Sequence, residues 1–333
     1  MRNPRTIVSL LLAVVVIVFA FRSLDVDPQQ IIGNLKRANP ALVLLALGVW
    51  YAAMFGRAAR WRWMLAKADI DDAHGYTMPP LTGFVQILLL AWFANSLVPA
   101  KLGDAWRCWL LKQDSGAPFS ASLGTLVSER LADVAVLCLT MTLAGFAAFG
   151  GQLPPQAATA VKAGAALVVV ALAFLAVIWR GRDQLAGRMP ARIQGPFSTI
   201  SNAMVGSLRA PLPLGAMSAG LWLMDGVRFW LVAAALGAGM SYPAALFVVL
   251  LASLLSAVPL TPAGLGVVEA GAGAVMVGVL GMDPGMAMSI LLLDRVVSYW
   301  NVIVAGSLVY LRRMAEEVRR SRLAVTAAAA RPD

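Results

Sequence analysis

The stretch Asn95-Ser96-Leu97-Val98-Pro99-Ala100-Lys101-Leu102-Gly103-Asp104-Ala105-Trp106-Arg107 lies inside an apolar region, yet it carries a Pro, a Gly, two bases and an acid. A helix crossing a bilayer should not be interrupted like this. Irregular, polar backbone at membrane depth is tolerated only where protein buries it or water reaches it. A second apolar region breaks in a related way, at Ala257-Val258-Pro259-Leu260-Thr261-Pro262-Ala263-Gly264-Leu265-Gly266-Val267-Val268-Glu269. Together the two breaks predict one central site that both of them line.

The membrane setting follows from the rest of the chain. Of 333 residues, 60% are hydrophobic and 13% charged. Apolar runs of roughly 20 residues recur from end to end, the length a helix needs to cross a bilayer. The strand-type alternation of a membrane barrel is absent. The expected fold is therefore all-α, a polytopic transmembrane helical bundle. A net charge of +10 would suggest nucleic acid in a soluble protein. Here Lys and Arg cluster in short loops, where they set topology and touch anionic headgroups, so no nucleic-acid partner is expected. Cys108 and Cys138 fall in membrane segments and imply no disulfide framework and no metal site. The single His74 sits in a polar loop beside Asp71 and Asp72. That argues against His-based catalysis, and neither Gly-x-x-x-x-Gly-Lys-Ser/Thr nor His-Glu-x-x-His occurs. No cofactor is called for.

Read in order, Thr6–Phe21 is a retained first helix, and the mixed-charge loop Arg22–Asn39 follows. A helix over Pro40–Gly56 ends in an aromatic–basic collar of Arg57, Arg60, Trp61, Arg62, Trp63 and Lys67, which marks a cytoplasmic side. Leu81–Leu111, broken in its middle and followed by Lys112, reads as a hairpin entering from that side. Phe119–Phe149, Ala157–Trp179 and Pro213–Leu236 read as crossings. Pro196–Pro211 reads as a short amphipathic helix lying on the cytoplasmic face. Pro243–Leu280 then enters and returns from the opposite side, and Met286–Leu311 leads back to cytoplasmic Arg312 and Arg313. Both termini are expected to be cytoplasmic. A single transmembrane domain over 1–313 is followed by a fraying basic, Ala-rich tail over 314–333.

The two broken units match in content. Pro99-x-x-x-Gly103 corresponds to Pro262-x-x-x-Gly266, and each is followed by an embedded acid–Arg pair, Glu129-Arg130 or Asp294-Arg295. Three crossings between the hairpins would invert one unit, about 81–150, relative to the other, about 243–311. That is the internal symmetry of many transporters.

An ionisable group at a helix centre costs roughly 2.5–3.5 kcal/mol on insertion scales, so Glu129, Arg130, Asp133, Asp225, Arg228, Asp294 and Arg295 need partners or a polar cavity. Arg130 with Asp133, and Asp225 with Arg228, are three apart and can pair along one helix face. The candidate headgroup contacts are Arg130 and Arg295, then Lys101, Arg107 and Asn95, because guanidinium grips phosphate bidentately. Asp104, Glu129, Asp133, Glu269 and Asp294 are the candidate gating or charge-compensating acids. Pro99, Gly103, Pro259, Pro262, Gly264 and Gly266 shape the breaks. Thr261-Pro262 reads as an N-cap with Pro at the first helical position, and a half-helix starting there would aim free N–H groups at a phosphate. The bland alternative is that the charged groups only hold helices together.

Asn95-x-x-x-Pro99-x-x-x-Gly103-Asp104-x-x-Arg107, Glu129-Arg130-x-x-Asp133, Pro259-x-x-Pro262-x-Gly264-x-Gly266-x-x-Glu269 and Asp294-Arg295, with Arg57-x-x-Arg60-Trp61, together resemble the membrane region of lysylphosphatidylglycerol synthases, a flippase-like family. The resemblance runs from about Arg2 to Arg313. It implies translocation of a phospholipid or related amphiphile between the leaflets of an inner membrane, with a membrane lipid as partner and possibly a separate lipid-modifying enzyme. Asp104 stands where the family often has Glu. The aminoacyl-transferase domain of two-part members has no counterpart in the roughly 20 residues after Arg313, so synthase activity is not expected. The competing expectations are a membrane-embedded transferase acting on a polyprenyl-phosphate or phospholipid, and an accessory subunit of a lipid enzyme.

Overall fold

The computed structural model describes residues 27–97, 102–257 and 264–329. The expected first helix, Pro99, Lys101, Pro259, Thr261 and Pro262 lie outside the described residues. Within them the chain is helical, with no strand. Four helical stretches are long and apolar enough to cross a membrane: Pro40–His74, Phe119–Ala148, Ala157–Arg182 and Pro284–Glu316.

Helix α1, Pro28–Lys36, was expected as loop. Asp27 caps it by accepting from the Gln29 N–H. Its Gln30 donates to Asp283 Oδ2 at 2.7 Å, a partner 253 residues away that no local pattern reveals. Helix α2, Pro40–Lys67, runs 28 residues, about three turns further than its apolar core suggests. The first broken region forms α3, Leu81–Leu97, and α4, Leu102–Ser115. Then come α5, Phe119–Ala148, and α6, Pro155–Gly187, followed by α7, Ala191–Ser207, and α8, Pro211–Ala235. The second broken region forms α9, Tyr242–Ala257, and α10, Val267–Gly278. Helix α11, Pro284–Arg295, passes through a π-helical turn at Val296–Trp300 into α12, Asn301–Ala329. The tail expected to fray is helical as far as Ala329.

Both broken regions are hairpins. Helix α3 runs antiparallel to α2, since Trp61 meets Phe84 edge-on at 5.3 Å and Trp50 meets Trp92 at 6.1 Å. It also runs antiparallel to α12: Tyr299 Oη donates to the Ser96 carbonyl at 3.2 Å, while Arg313 pairs with Asp114 near the end of α4 at 2.8 Å. The open end of this hairpin thus lies at the Lys67 end of α2. The second hairpin opens at the other end, where the Asn39 N–H donates to the Ala235 carbonyl and Trp230 Nε1 donates to the Met240 carbonyl. The two hairpins thus open at opposite ends of the bundle.

The expected amphipathic helix is present as α7, and its docking face is wider than the apolar stripe. Helix α7 docks on α5 through its small and hydroxyl face: Ser201, Ala203, Met204, Gly206 and Ser207 are buried, and Ser128 donates to the Met204 carbonyl at 2.9 Å. Gly124 on α5 sits against the Ile200 carbonyl with no room for a Cβ. Close backbone approach between small residues outweighs the apolar stripe as the docking principle. The collar also shrinks. Arg60 and Trp61 are buried, leaving Arg62, Trp63 and Lys67 at the end of α2.

The first tip depends on Gly103, where a Cβ would run into the Ala91 carbonyl oxygen and Asn95 Oδ1. Gly48, on an exposed face of α2, has nothing within 4 Å. Gly103→Ala is expected to cost about 1–3 kcal/mol through overpacking, read as a lower melting temperature in detergent. Gly48→Ala should instead be neutral or stabilise by up to about 1 kcal/mol.

Candidate functional site between the hairpin tips

A helix that begins in the middle of a bundle leaves N–H groups without acceptors. The chain supplies acceptors itself. Asn95, at the end of α3, accepts from the Gly103 N–H at 2.8 Å and donates to Asp104 Oδ1 at 3.1 Å. Glu269, in the first turn of α10, accepts from the Gly266 N–H at 2.7 Å through Oε2. Gly264 and Gly266 have φ of +69° and +83°, left-handed backbone that suits glycine. The phosphate cradle expected at Thr261-Pro262 lies outside the described residues; within them helix α10 starts at Val267, and the Gly103 and Gly266 N–H groups are taken by side chains. An orphan N–H buried without ligand would be costly, so a side-chain cap wins.

Between the tips lies a cavity of about 420 Å³. Asn95, Ser96 and Arg107 line it from the first hairpin, and Ser253, Ser256 and Val268 from the second. Arg130, Glu129 and Asp133 face it from α5, and Asp294 and Arg295 from α11. The structure therefore brings most of the described candidate residues to one place. Asp104 and Glu269 stand behind the wall, bonded to Arg130 and Arg295.

The charged groups pair between helices. Arg130 binds Asp104 at 2.7 Å, and Arg295 Nε binds Glu269 at 2.7 Å. Glu129 takes Arg107 at 2.6 Å on one oxygen and Arg60 at 2.9 Å on the other. Arg60 also binds Asp133 through two nitrogens and donates to Ser218 Oγ at 2.6 Å. Arg228 binds Asp294, and Asp225 takes Arg57 at 2.5 Å. One expected intrahelical pair is corrected: Arg130 and Asp133 turn to different helices. Asp225 does pair with Arg228 three residues on, at 3.9 Å, but holds Arg57 more closely at 2.5 Å. Pairing within α5 would take Arg130 from Asp104, a buried carboxylate, and Asp133 from Arg60, the costlier arrangement.

Arg57 and Arg60 were read as collar residues, and their place in the cavity wall was missed. Their spacing carries the signal: they fall about two to three turns before Lys67 within an unbroken helical period. Trp50, Trp92, Trp222 and Tyr299 also line the cavity and were not singled out. Arg107 lies over the Trp61 ring at 4.7 Å, and Arg57 over Trp92 at 5.3 Å, contacts that hold a guanidinium against an apolar wall. The π turn after Arg295 had no sequence signature. Such turns recur beside functional groups.

The family model described as the lysylphosphatidylglycerol synthase TM region matches residues 6–306. A UPF0104 membrane protein of Methanocaldococcus jannaschii is 28% identical, covering 66% of this chain and 93% of that protein. A UPF0104 membrane protein of Methanothermobacter thermautotrophicus is 21% identical over 90% of this chain and 93% of its own length. A protein of Haloferax volcanii named glycosyltransferase AglD is 27% identical over 89% of this chain, which spans about half of that protein, 52%.

Arg60 holds two carboxylates, and its own side chain is 3% exposed. Arg60→Ala is expected to destabilise the fold by about 3–5 kcal/mol, and adding Asp133→Asn should recover part of that loss. Arg313→Ala, at a partly solvated pair, should cost no more than about 1 kcal/mol. Thermal unfolding of the three variants in one detergent measures the contrast.

Proposed function

Because this integral multi-pass membrane chain belongs to the lysylphosphatidylglycerol synthase transmembrane family, we propose that it is a translocase moving a phospholipid or related amphiphilic lipid between leaflets. The observation that carries the reading is the cavity itself. It sets charged side chains in a largely apolar wall, is lined from both broken hairpins, and presents guanidinium groups suited to a headgroup phosphate. The acyl chains would stay in the bilayer. Arg130 is the first contact in this reading, since its side chain keeps 48% of its surface open while it holds Asp104. Arg295, Arg107, Asn95 and the tip residue Lys101 are the further headgroup ligands. Asp104, Glu129, Asp133, Glu269 and Asp294 compensate the arginines when the site is empty.

We read the fold as two inverted units, each a helix, a broken hairpin and a helix with an acid–Arg pair. Two correspondences support this. Asp104–Arg130 matches Glu269–Arg295, and Glu129–Arg60 matches Asp294–Arg228. The inverted unit then includes α2 and α8, which supply Arg60 and Arg228. The basic end carrying Lys67, Arg209 and Arg313 is placed on the cytoplasmic side of the cytoplasmic membrane, with both termini.

A second reading rests on the Haloferax relative named as a glycosyltransferase: the cavity would hold a polyprenyl-phosphate or phospholipid acceptor for a transferase reaction, with an Asp or Glu as base. An accessory role beside a separate lipid-modifying enzyme is the third. Purified protein in liposomes should speed exchange of labelled lipid between leaflets, and Arg130→Ala combined with Arg295→Ala should abolish it. Wild-type protein that leaves a broad lipid panel unmoved would remove the translocase reading. Turnover of acceptor lipid with an activated donor by the protein alone would favour the transferase.

A further inference from the structure

The cavity is balanced in charge, and balance restricts what can enter it. Arg57, Arg60, Arg107, Arg130, Arg228 and Arg295 each face a carboxylate. Asp104, Glu129, Asp133, Asp225, Glu269 and Asp294 each face a guanidinium. Counting Asp104 and Glu269, which stand directly behind the wall and pair with its Arg130 and Arg295, the described groups at and just behind the cavity are six positive and six negative. A pocket made for a lone anion would keep cations in excess.

The consequence shows at a single pair. An anion that enters between Arg228 and Asp294 satisfies the guanidinium and strands the carboxylate in the interior, and an uncompensated buried charge is costly. A group carrying both signs gives each partner its opposite, so the pair opens with no charge left over. Resting on the translocase reading above, we propose that the cavity admits a net-neutral, zwitterionic headgroup, a phosphodiester joined to an ammonium.

The wall offers contacts for both halves. Phosphodiester oxygens accept from the guanidinium groups and from Trp222 Nε1, a buried donor at the cavity wall with no acceptor among the described residues. The ammonium faces the carboxylates and the aromatic wall of Trp50 and Trp92, rings in edge-to-face contact at 6.1 Å. Aromatic faces attract alkylammonium groups where water is excluded. Movement of such a headgroup carries no net charge across the bilayer, so a membrane potential should not drive it.

The test uses the full chain in detergent, with quenching of tryptophan fluorescence as readout. The probes are short-chain phosphatidylcholine, phosphatidylethanolamine and phosphatidylglycerol. The zwitterionic lipids are expected to bind tighter than phosphatidylglycerol by on the order of tenfold. Asp133→Asn and Asp225→Asn each add one positive charge to the wall. Each should move the preference toward phosphatidylglycerol by on the order of tenfold. Two variants are used so that one failing to fold does not end the test. Equal or tighter binding of phosphatidylglycerol by wild type overturns the proposal, as does a preference unmoved in the folded variants. A wild-type preference for phosphatidylglycerol that vanishes in Lys101→Met would trace it to an excess cation at the first tip, and equally overturns it. Liposome exchange separates this proposal from the reading beneath it. Exchange confined to anionic lipid sinks the charge rule and keeps the translocase. Tight binding of glycerophosphocholine without acyl chains, with no lipid exchange, keeps the charge rule and sinks the translocase.

Discussion

Charge inside an apolar bundle must be paired, and in this fold the pairing is also what connects the helices around the cavity. Arg107 and Arg130 tie the first hairpin to α5. Arg60 ties α5 to α2, and Arg57 ties α2 to α8. Arg228 ties α8 to α11, and Arg295 ties α11 to the second hairpin. The ion pairs form one path from the first tip to the second. Pairs of this kind contribute little over well-packed apolar side chains, but losing one partner is expensive. Their effect is to fix which helices may neighbour which, and so to hold the two tips at one cavity.

The same path explains why neighbouring acid–Arg residues recur. In Glu129-Arg130 and Asp294-Arg295 the two side chains leave the helix about 100° apart. The arginine therefore reaches the adjacent hairpin while the acid reaches the helix preceding that hairpin. Adjacent placement lets the two residues reach partners on different elements, and Glu129 also takes Arg107 on the hairpin itself. In the described structure Arg130 meets Asp104 and Glu129 meets Arg60; Arg295 meets Glu269 and Asp294 meets Arg228.

Much of this was legible in the residues. The apolar runs announced helices, and the Pro–Gly breaks announced hairpins, because neither feature depends on knowing what is packed beside it. The ends of α5, α8 and α9 fell within a few residues of their expected places. The partners were not legible. Arg130 with Asp133 looked like a pair because sequence shows only local spacing, and the choice of Asp104 and Arg60 instead depends on how α4 and α2 lie along α5. For the same reason Arg60 read as a surface base. The docking face of α7 was misread because apolar periodicity marks burial only where close backbone approach does not compete. Helix α1 follows from a contact with Asp283 across nearly the whole sequence.

The capped tips also change what the breaks are for. Breaks that exposed helix N-termini to the cavity would have made backbone N–H groups the natural anion ligands. Instead each tip acid divides its two oxygens. Glu269 gives Oε2 to the Gly266 N–H and Oε1 to Arg295. Asp104 gives Oδ1 to Asn95, which holds the Gly103 N–H, and Oδ2 to Arg130. One oxygen secures the break and the other secures the arginine. A ligand that competes for the arginine can displace the second contact while the first still satisfies the backbone, so opening the cavity does not require the tip to unravel. In the translocase reading, that separation would let the site be emptied and filled within a bundle whose unpaired backbone would otherwise be too costly to expose.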